Sequence, residues 1–156
     1  MAPASLPAIT ISYRVLQPRR AIVPTRRDRP QAANILVVDD DADFRWLLLT
    51  LLEADPRLRV TGEAGDGEAA VDPVRQKAPS LVVIDLIMPH RDGLEATRQI
   101  KREAPDTKVV VLSARADESF RRMARDSGAD AFLNKRDTVT ALLPMIRSLT
   151  GGAESG

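Results

Sequence analysis

Three short apolar runs of this chain end in residues that could take part in phosphoryl transfer. The first run is followed by Asp39, Asp40 and Asp41, the second by Asp85, and the third by an asparagine and then Lys135. Carboxylates can act as nucleophiles or bind a hard cation, and an ammonium group can pair with an anion. Since stability alone would not favour charged groups at three strand ends, the pattern indicates chemistry at one edge of a sheet.

The spacing of the apolar runs predicts a sheet of parallel strands. Strands are predicted at residues 35–38, 58–64, 81–84, 108–112 and 131–133, and helical patterns fill the segments between them. Strands that alternate with helices lie parallel, so their carboxyl ends meet at one edge of the sheet, where ligands bind. The acidic cluster, Asp85 and Lys135 are therefore expected to meet in one crevice.

Five helices are predicted from apolar residues at helical spacing. They cover residues 42–54, residues 67–77, a segment ending near residue 103, a segment capped by Asp117 and a segment capped by Asp137. Pro73 and Pro144 lie inside the second and fifth of these, and an internal proline removes a backbone hydrogen bond at a cost of about 3 kcal/mol. We therefore expect the second helix to start late, kink or break.

The composition of the chain limits its class. With 156 residues and 44% hydrophobic residues, the chain can bury one ordinary core but not two. The absence of cysteine excludes a disulfide scaffold and thiolate metal sites, and it fits a reducing compartment. No run of about 18 apolar residues predicts a membrane span, and the first segment lacks the apolar core of a signal peptide. We expect a soluble, cytoplasmic protein of one domain.

The first 33 residues differ from the rest in charge and proline content. They contain six arginines against one aspartate and five of the eleven prolines, although the whole chain carries a net charge of only +1. Such a segment cannot propagate a helix, so we expect a flexible basic extension at 1–33, a domain at 34–150 and a short tail at 151–156. The extension could bind nucleic acid or an anionic membrane, but arginines without interleaved aromatic residues favour an inert extension.

Residues 34 to about 150 resemble the receiver domain of bacterial two-component response regulators. The motifs that carry the resemblance occur in family order and spacing: Val38-Asp39-Asp40-Asp41, Asp85-Leu86-Ile87-Met88-Pro89, Asp92-Gly93, Ser113-Ala114, Gly128-Ala129 and Lys135. The resemblance implies an α/β fold, a doubly wound (βα)5 flavodoxin-like sandwich whose parallel five-stranded sheet has the strand order 2-1-3-4-5.

The resemblance also implies roles for the residues at the strand ends. Asp85 would be the phospho-acceptor, a carboxylate nucleophile that takes a phosphoryl group. Mg²⁺ is the implied cofactor, since it prefers oxygen ligands and shares phosphate oxygens. Asp40 and Asp85 would ligate it directly, Asp39 would act through water, and the backbone carbonyl of Ile87 would contribute. Lys135 would pair with the acceptor carboxylate and then with its phosphoryl group.

Two further residues match switch positions of the family. The Ser113 hydroxyl would move to bond a phosphoryl oxygen, and Phe132 would swing between exposed and buried rotamers without a hydroxyl to hold it. Ile87 and Arg115 match positions that shield the phosphoryl group, which implies an altered phosphoryl lifetime. The output face of the family consists of the fourth helix, the fifth strand and the fifth helix. Because Pro144 lies in that last helix, we expect at most a weak homodimer.

The resemblance implies a receiver in a two-component phosphorelay. A sensor histidine kinase or a histidine phosphotransfer protein would supply the phosphoryl group, and the output face would then control an unknown protein target. No effector domain follows in the sequence, so we expect a stand-alone receiver that is not an enzyme beyond the reactions of its own phosphoryl group. Neither membrane insertion nor nucleic acid binding is expected, except for nucleic acid at the basic extension.

Three alternatives stay open on the sequence alone. The chain could be the receiver part of a DNA-binding response regulator that is separated from its output domain, since residues 134–137 resemble receivers of that kind. It could be a Mg²⁺-dependent phosphohydrolase, although such enzymes need an acid-base aspartate where Ile87 stands. It could also be a receiver-like interaction module that is never phosphorylated, against which the acidic cluster and Lys135 argue.

Several of these residues also have a purely structural interpretation. Asp39, Asp40 and Asp41 could form the N-cap and first turn of a helix, where backbone N–H groups favour acids. His90, the one histidine of the sequence, is interpreted as a loop residue rather than a phospho-carrier. Trp46 is interpreted as a packing or snorkelled residue of the first helix rather than a ligand contact.

Overall fold

The structure is a computed structural model that describes residues 31–89 and 92–151. The first 30 residues of the predicted extension, the loop residue His90 and residues 152–156 of the predicted tail lie outside these ranges. The boundaries of the predicted extension, domain and tail therefore stay predictions. Among the described residues, no helix has the length and apolar character needed to cross a membrane.

Strands and helices alternate along the described chain. The strands are β1 (Ala33–Val38), β2 (Leu58–Ala64), β3 (Leu81–Asp85), β4 (Lys108–Ser113) and β5 (Ala131–Asn134). The helices are α1 (Ala42–Glu53), α2 (Gly67–Lys77), α3 (Gly93–Glu103), α4 (Glu118–Asp126) and α5 (Thr138–Thr150), with a 3₁₀ turn at Lys135–Asp137. All strand pairs are parallel and their order is β2-β1-β3-β4-β5, which confirms the predicted fold class and strand order.

The sheet is covered on both faces because successive residues of a strand point to opposite sides. Helices α2, α3 and α4 pack on one side, where Val82 and Ile100 belong to the core. Helices α1 and α5 pack on the other side, where Leu48 and Leu142 belong to the core. Strand β3 lies in the middle of the sheet with all of its residues buried, so Asp85 ends the most enclosed strand.

Helix α2 runs from Gly67 across Pro73 to Lys77, so it neither starts late nor breaks as predicted, whereas a kink at Pro73 stays a prediction. The Asp66 side chain caps the start of the helix by accepting a hydrogen bond from the Ala69 N–H at 2.7 Å. The buried side chains of Val71 and Val74 hold the helix against the rest of the protein. Burying two such side chains contributes about 3 kcal/mol or more, which offsets the backbone hydrogen bond that proline cannot make.

Side-chain caps begin the helices, with one exception. Asp41 accepts hydrogen bonds from two N–H groups in the first turn of α1, and Asp117 does the same for α4, as predicted. Asp137 stands at the start of α5 but makes no capping hydrogen bond, so the prediction of a cap there was wrong. The 3₁₀ turn already leads the chain into α5, and the Asn134 side chain caps that turn instead.

Trp46 lies on the outer side of α1 with 68% of its surface exposed, so of its two interpretations the packing residue was wrong and the snorkelled residue stays a prediction. The residues of α1 that are buried are Leu48 and Leu52. This helix carries large apolar side chains on several sides, so its sequence did not show which side would face the sheet.

Candidate functional site

The carboxyl ends of neighbouring strands bring the acidic residues together. Val38 pairs with Ile84 in the register of β1 and β3, so the next residues, Asp39 and Asp85, lie side by side at the carboxyl ends of these strands. Both of these aspartates are buried, whereas Asp40 is exposed. One oxygen from each of the three carboxylates lies within 4.8 Å of the others. The structure therefore joins the acidic cluster and the lone aspartate of the sequence into one site.

The Lys135 ammonium group, which follows β5, lies between two of these carboxylates. Its Nζ donates a hydrogen bond to Asp39 Oδ2 at 2.7 Å and lies 3.2 Å from Asp85 Oδ2. The Phe44 ring of α1 lies against the ammonium, with Nζ 4.3 Å from the ring centroid. One cation is thus shared by two buried carboxylates and further stabilised by an aromatic face.

The loop between β1 and α1 is held by contacts that sequence reasoning missed. Asp39 Oδ1 accepts a hydrogen bond from the Asp41 N–H at 2.8 Å, and the Asp39 carbonyl accepts one from Arg45 Nη1 at 2.6 Å. Arg45 Nε also lies 3.4 Å from Glu63 Oε2 on β2. The one sequence signal for Phe44 and Arg45 is their place in the first turn of α1, directly after the acidic cluster.

Burial and one shared cation set the electrostatics of the site. Burial raises the pKa of Asp85 from its ordinary value of 3.8 to about 6. The Lys135 charge opposes that shift, and the Asp39 charge adds to it. Burial lowers the pKa of Lys135, but its contacts with the two carboxylates outweigh burial, and the pKa is raised. With three carboxylates against one ammonium, the formal charge of the site is negative.

Ser113 ends β4 beside the strand that carries Asp85. Leu112 pairs with Asp85 in the register of β3 and β4, so Ser113 follows at the level of the site. The serine side chain is buried, and its Oγ accepts a hydrogen bond from the Arg115 N–H at 3.0 Å. The structure thus places the predicted switch hydroxyl next to the predicted acceptor strand.

The two remaining predicted residues lie further from the carboxylates. Ile87 is 56% exposed, and its backbone N–H lies 3.4 Å from Asp85 Oδ1. Phe132 is half-buried on the side of the sheet that α4 covers, with the Arg121 guanidinium 5.1 Å from the centroid of its ring. Ile87 therefore reaches the site through its backbone, and Phe132 contacts α4.

Gly93 lets the start of α3 approach the end of β3 closely. Its N–H donates a hydrogen bond to the Leu86 carbonyl at 2.9 Å, and a Cβ atom at this position would lie only 2.0 Å from the Asp85 carbonyl oxygen. Asp92 caps the helix by accepting a hydrogen bond from the Glu95 N–H. The Asp92-Gly93 pair of the sequence thus fixes the backbone at the end of β3, a reason the sequence alone did not give.

The donor set of the site fits a hard divalent cation. Within the described ranges, Asp39, Asp40 and Asp85 form a group of three acids placed to share an ion. Carboxylate oxygens without histidine or cysteine suit Mg²⁺, Ca²⁺ or Mn²⁺ rather than zinc or copper. Among these ions, Mg²⁺ is commonly held by one or two carboxylates together with phosphate oxygens and waters.

Comparisons with known sequences agree with this geometry. A family model described as the response regulator receiver domain matches residues 35–147. The transcriptional regulatory protein LiaR of Bacillus subtilis is 35% identical over 119 residues, which are 76% of this chain and 56% of that protein. Protein-glutamate methylesterase/protein-glutamine glutaminase 4 of Myxococcus xanthus is 46% identical over 104 residues, which are 65% of this chain and 29% of that protein. The chain therefore spans about half, or less, of the curated relatives it matches.

Solved structures show the same fold. The signal receiver domain of the putative response regulator NarL from Mycobacterium tuberculosis matches with a TM-score of 0.75 and 28% identity, covering 79% of this chain and 99% of that chain. The response regulator domain of Thermotoga maritima CheB matches with a TM-score of 0.72 and 29% identity, covering 78% of this chain and 98% of that chain. Both are similar to this chain over nearly the whole of their own length.

Proposed function

This chain belongs to the response regulator receiver domain family, and we propose that it accepts a phosphoryl group on Asp85 and changes a binding surface in response. The observation that carries the proposal is the convergence of three carboxylates and one ammonium group at one edge of the sheet. Lys135 Nζ lies 3.2 Å from Asp85 Oδ2, and the carboxylates lie within 4.8 Å of one another. This arrangement fits the transfer of an anionic group to a buried carboxylate.

The proposed donor is a phosphohistidine on a sensor kinase or a histidine phosphotransfer protein. An Asp85 oxygen attacks the phosphorus, the bond between phosphorus and the histidine nitrogen breaks, and the imidazole leaves with its electron pair. The product is an acyl phosphate on Asp85. Lys135, already within ion-pair distance of the acceptor, neutralises part of the charge on the transferred group.

Mg²⁺ is the cofactor we propose for this site. Asp40, Asp85 and the Ile87 carbonyl would hold it directly, and Asp39 would act through a water molecule. The structure supports this division because both Asp39 oxygens already accept hydrogen bonds, from the Asp41 N–H and from the lysine ammonium, whereas Asp40 is exposed. When bound, Mg²⁺ would supply positive charge that aligns the phosphoryl oxygens with the acceptor.

Ser113 and Phe132 are the proposed switch residues. The Ser113 hydroxyl, which now accepts a hydrogen bond from the Arg115 N–H, would turn towards a phosphoryl oxygen. Phe132, half-buried between β5 and α4, would repack as this edge of the sheet moves. Phosphorylation would thus shift a two-state equilibrium of the surface formed by α4, β5 and α5.

We propose that this surface regulates a protein target and that the chain catalyses no reaction beyond those of its own phosphoryl group. The relatives named above are transcriptional regulators or a methylesterase, and they extend well beyond the matched region. Their outputs are therefore not carried over to this chain. A DNA-binding output joined to this receiver is the second candidate, favoured by the several relatives whose names describe transcriptional regulators.

The proposal is tested by recording the intact mass of the protein after incubation with Mg²⁺ and a small acyl phosphate. We expect the wild type to gain the mass of one phosphoryl group. Asp85→Asn should show no gain, and excess chelator should abolish the gain in the wild type. Asp106→Asn is the matched control because it makes the same change in an exposed turn, and it should react like the wild type.

A folded wild-type protein that gains no mass from the acyl phosphate, and none from a purified phosphohistidine protein, would contradict the proposal. A gain that persists in Asp85→Asn would show that the acceptor has been assigned wrongly. Turnover of small phosphate esters without a stable phosphoprotein would favour a phosphohydrolase instead.

A further inference from the structure

A small cavity lies between the loop after β3 and helix α4. Its volume is about 170 Å³. The side chains that line it are mostly apolar: Leu86, Ile87, Met88, Leu94, Phe120 and Met123. Asp92 also lines it, but the carboxylate of Asp92 is engaged as the cap of α3. We call this cavity the β3–α4 pocket, and none of the acids or the lysine of the phosphoryl site lines it.

The mouth of the β3–α4 pocket exposes apolar surface to water. Ile87 is 56% exposed and Met123 is 38% exposed, and they are two of the four large apolar residues that are exposed in the described part of the chain. Leu86 and Met88 are buried and form the inner wall. Two exposed apolar side chains that border one concave apolar site, rather than lying apart on the surface, indicate a binding surface.

The size of the pocket limits what can fill it. A protein cavity of about 150 Å³ can hold one benzene molecule, and sites for whole small-molecule ligands have volumes of about 300–1,000 Å³. A pocket of about 170 Å³ therefore accommodates a single apolar side chain. A side chain of a protein segment fits these dimensions better than a free small molecule.

Positive charge lies beside the apolar lining. The Arg115 guanidinium lies over the Phe120 ring, 5.4 Å from its centroid. This contact places a cation directly at a residue that lines the pocket. Arg115 is exposed and has no carboxylate of the described residues within ion-pair distance, and its charge is the smallest of the contributions that lower the pKa of Asp117.

Two more arginines lie on the helices that border the pocket, although neither of them lines it. Arg98 follows Leu94 by four residues on α3, so both lie on one face of that helix. Arg122 directly precedes Met123 on α4. Both arginines are exposed, and neither has an ion-pair partner within the described ranges. Their charges are therefore available to a carboxylate from another molecule.

We propose that the β3–α4 pocket binds one apolar side chain of a partner protein, in a segment that carries carboxylates on both sides of that side chain. The apolar lining provides the anchor, and Arg98, Arg115 and Arg122 select for acidic neighbours and against basic ones. This inference rests on the pocket and its charges, and it does not depend on phosphorylation of the chain.

Methionine methyl groups provide a direct test in the full-length protein. Met88 and Met123 line the pocket, whereas Met145 lies on α5 and serves as an internal control. The probe is the peptide acetyl-Glu-Glu-Phe-Glu-Glu-amide, added to protein labelled with ¹³C in the methionine methyl groups. We expect saturable shifts of the Met88 and Met123 signals and none of the Met145 signal. The same peptide with lysine at every glutamate should bind about tenfold more weakly, since three surface cations then repel it.

Variants separate the anchor from the charges. Met123→Gln places an uncharged polar side chain of similar length at the mouth of the pocket, so the acidic peptide should shift the Met88 signal only at severalfold higher concentration. Arg122→Glu should weaken the acidic peptide severalfold while keeping the protein folded, because the residue is exposed. Arg59→Glu, the same change on the exposed surface of the edge strand β2, should leave the affinity unchanged.

Three results would overturn the proposal. The first is the absence of a saturable shift at about 5 mM acidic peptide, which is weaker binding than any specific docking surface needs. The second is equal binding of the acidic and the lysine peptides, which would remove the role of the arginines. The third is a concentration-dependent shift of the Met123 signal without peptide, which would assign the pocket to a second copy of this chain.

Discussion

Asp85 and Asp55 are both buried aspartates with basic partners, and their partners differ in number. Asp55, in the turn after α1, has a side chain that is only 2% exposed. Its carboxylate accepts hydrogen bonds from Arg57 Nε at 3.0 Å, from Arg57 Nη2 at 2.9 Å and from Arg147 Nε of α5 at 2.9 Å. Asp55 thus forms ion pairs with two guanidinium groups, whereas Asp85 shares one ammonium group with Asp39.

The pKa values of the two carboxyls shift in opposite directions for this reason. Hydrogen bonds from the Arg57 side chain and backbone, with a further one from Arg147, hold the pKa of Asp55 well below its usual range in spite of burial. Burial raises the pKa of Asp85 to about 6, because its one cation is shared. A fully paired acid stabilises the fold, and an incompletely paired acid is available for a cation and for chemistry.

The largest expected effect comes from removing the shared cation. Lys135→Met should lower the free energy of unfolding by about 3 kcal/mol at pH 7, because it leaves two buried carboxylates without a cationic partner. Urea denaturation measures this loss. Lys108→Met, which removes a more exposed lysine with a longer ion pair of 3.8 Å, should change the stability by less than about 0.5 kcal/mol. Equal losses in both variants would show that the site does not depend on its lysine.

A smaller loss is expected from the fully paired aspartate. Asp55→Asn should lower the free energy of unfolding by about 2 kcal/mol, the scale of hydrogen bonds to charged groups. The loss is smaller than at Lys135 because both arginines are about half exposed and can regain water. Thermal and urea denaturation check this, with Asp106→Asn as the exposed control. An unchanged stability of Asp55→Asn would contradict a structural role for this cluster.

Magnesium should distinguish the two clusters without any change to the core. At a concentration ten times its Kd, Mg²⁺ should raise the free energy of unfolding of the wild type by about 1.4 kcal/mol, since it binds the folded site. Asp40→Asn should lose most of this increment, whereas Asp55→Asn should keep it. Denaturation with Mg²⁺ or with chelator measures the difference. An increment retained by Asp40→Asn would place the cation elsewhere.

The most gradual effect is the dependence of stability on pH, which is spread over several pH units in the absence of Mg²⁺. The pKa of Asp85 is raised in the folded state, so its contribution to stability is full below about pH 4 and is lost as the pH rises to about 6. The pKa of Asp55 is lowered, so its contribution is present above about pH 4 and is lost as the pH falls further. Asp85→Asn should remove the first slope and Asp55→Asn the second. Stability curves with identical slopes in both variants would contradict the comparison.

Sequence patterns predicted the sheet and most of the site, because both depend on short local signals. Each of the three apolar runs is a strand, and residues that directly follow parallel strands must lie at one edge of the sheet. Asp39, Asp85 and Lys135 could therefore be expected to meet from their positions alone, and the structure brings them together. Asp117 could likewise be recognised as a cap, since capping involves only neighbouring residues.

Contacts between distant parts of the chain decided the rest. Asp55 and Arg147 are 92 residues apart, and no local pattern joins them. Phe44 contacts the ammonium group of Lys135 only because the chain after β5 lies beside the start of α1. Helix α2 is continuous across Pro73 because it packs against the sheet. The amino-acid sequence thus determined which residues stand at the strand ends. The tertiary structure alone decided how many basic side chains pair with each buried aspartate, because that number depends on which strands and helices pack side by side.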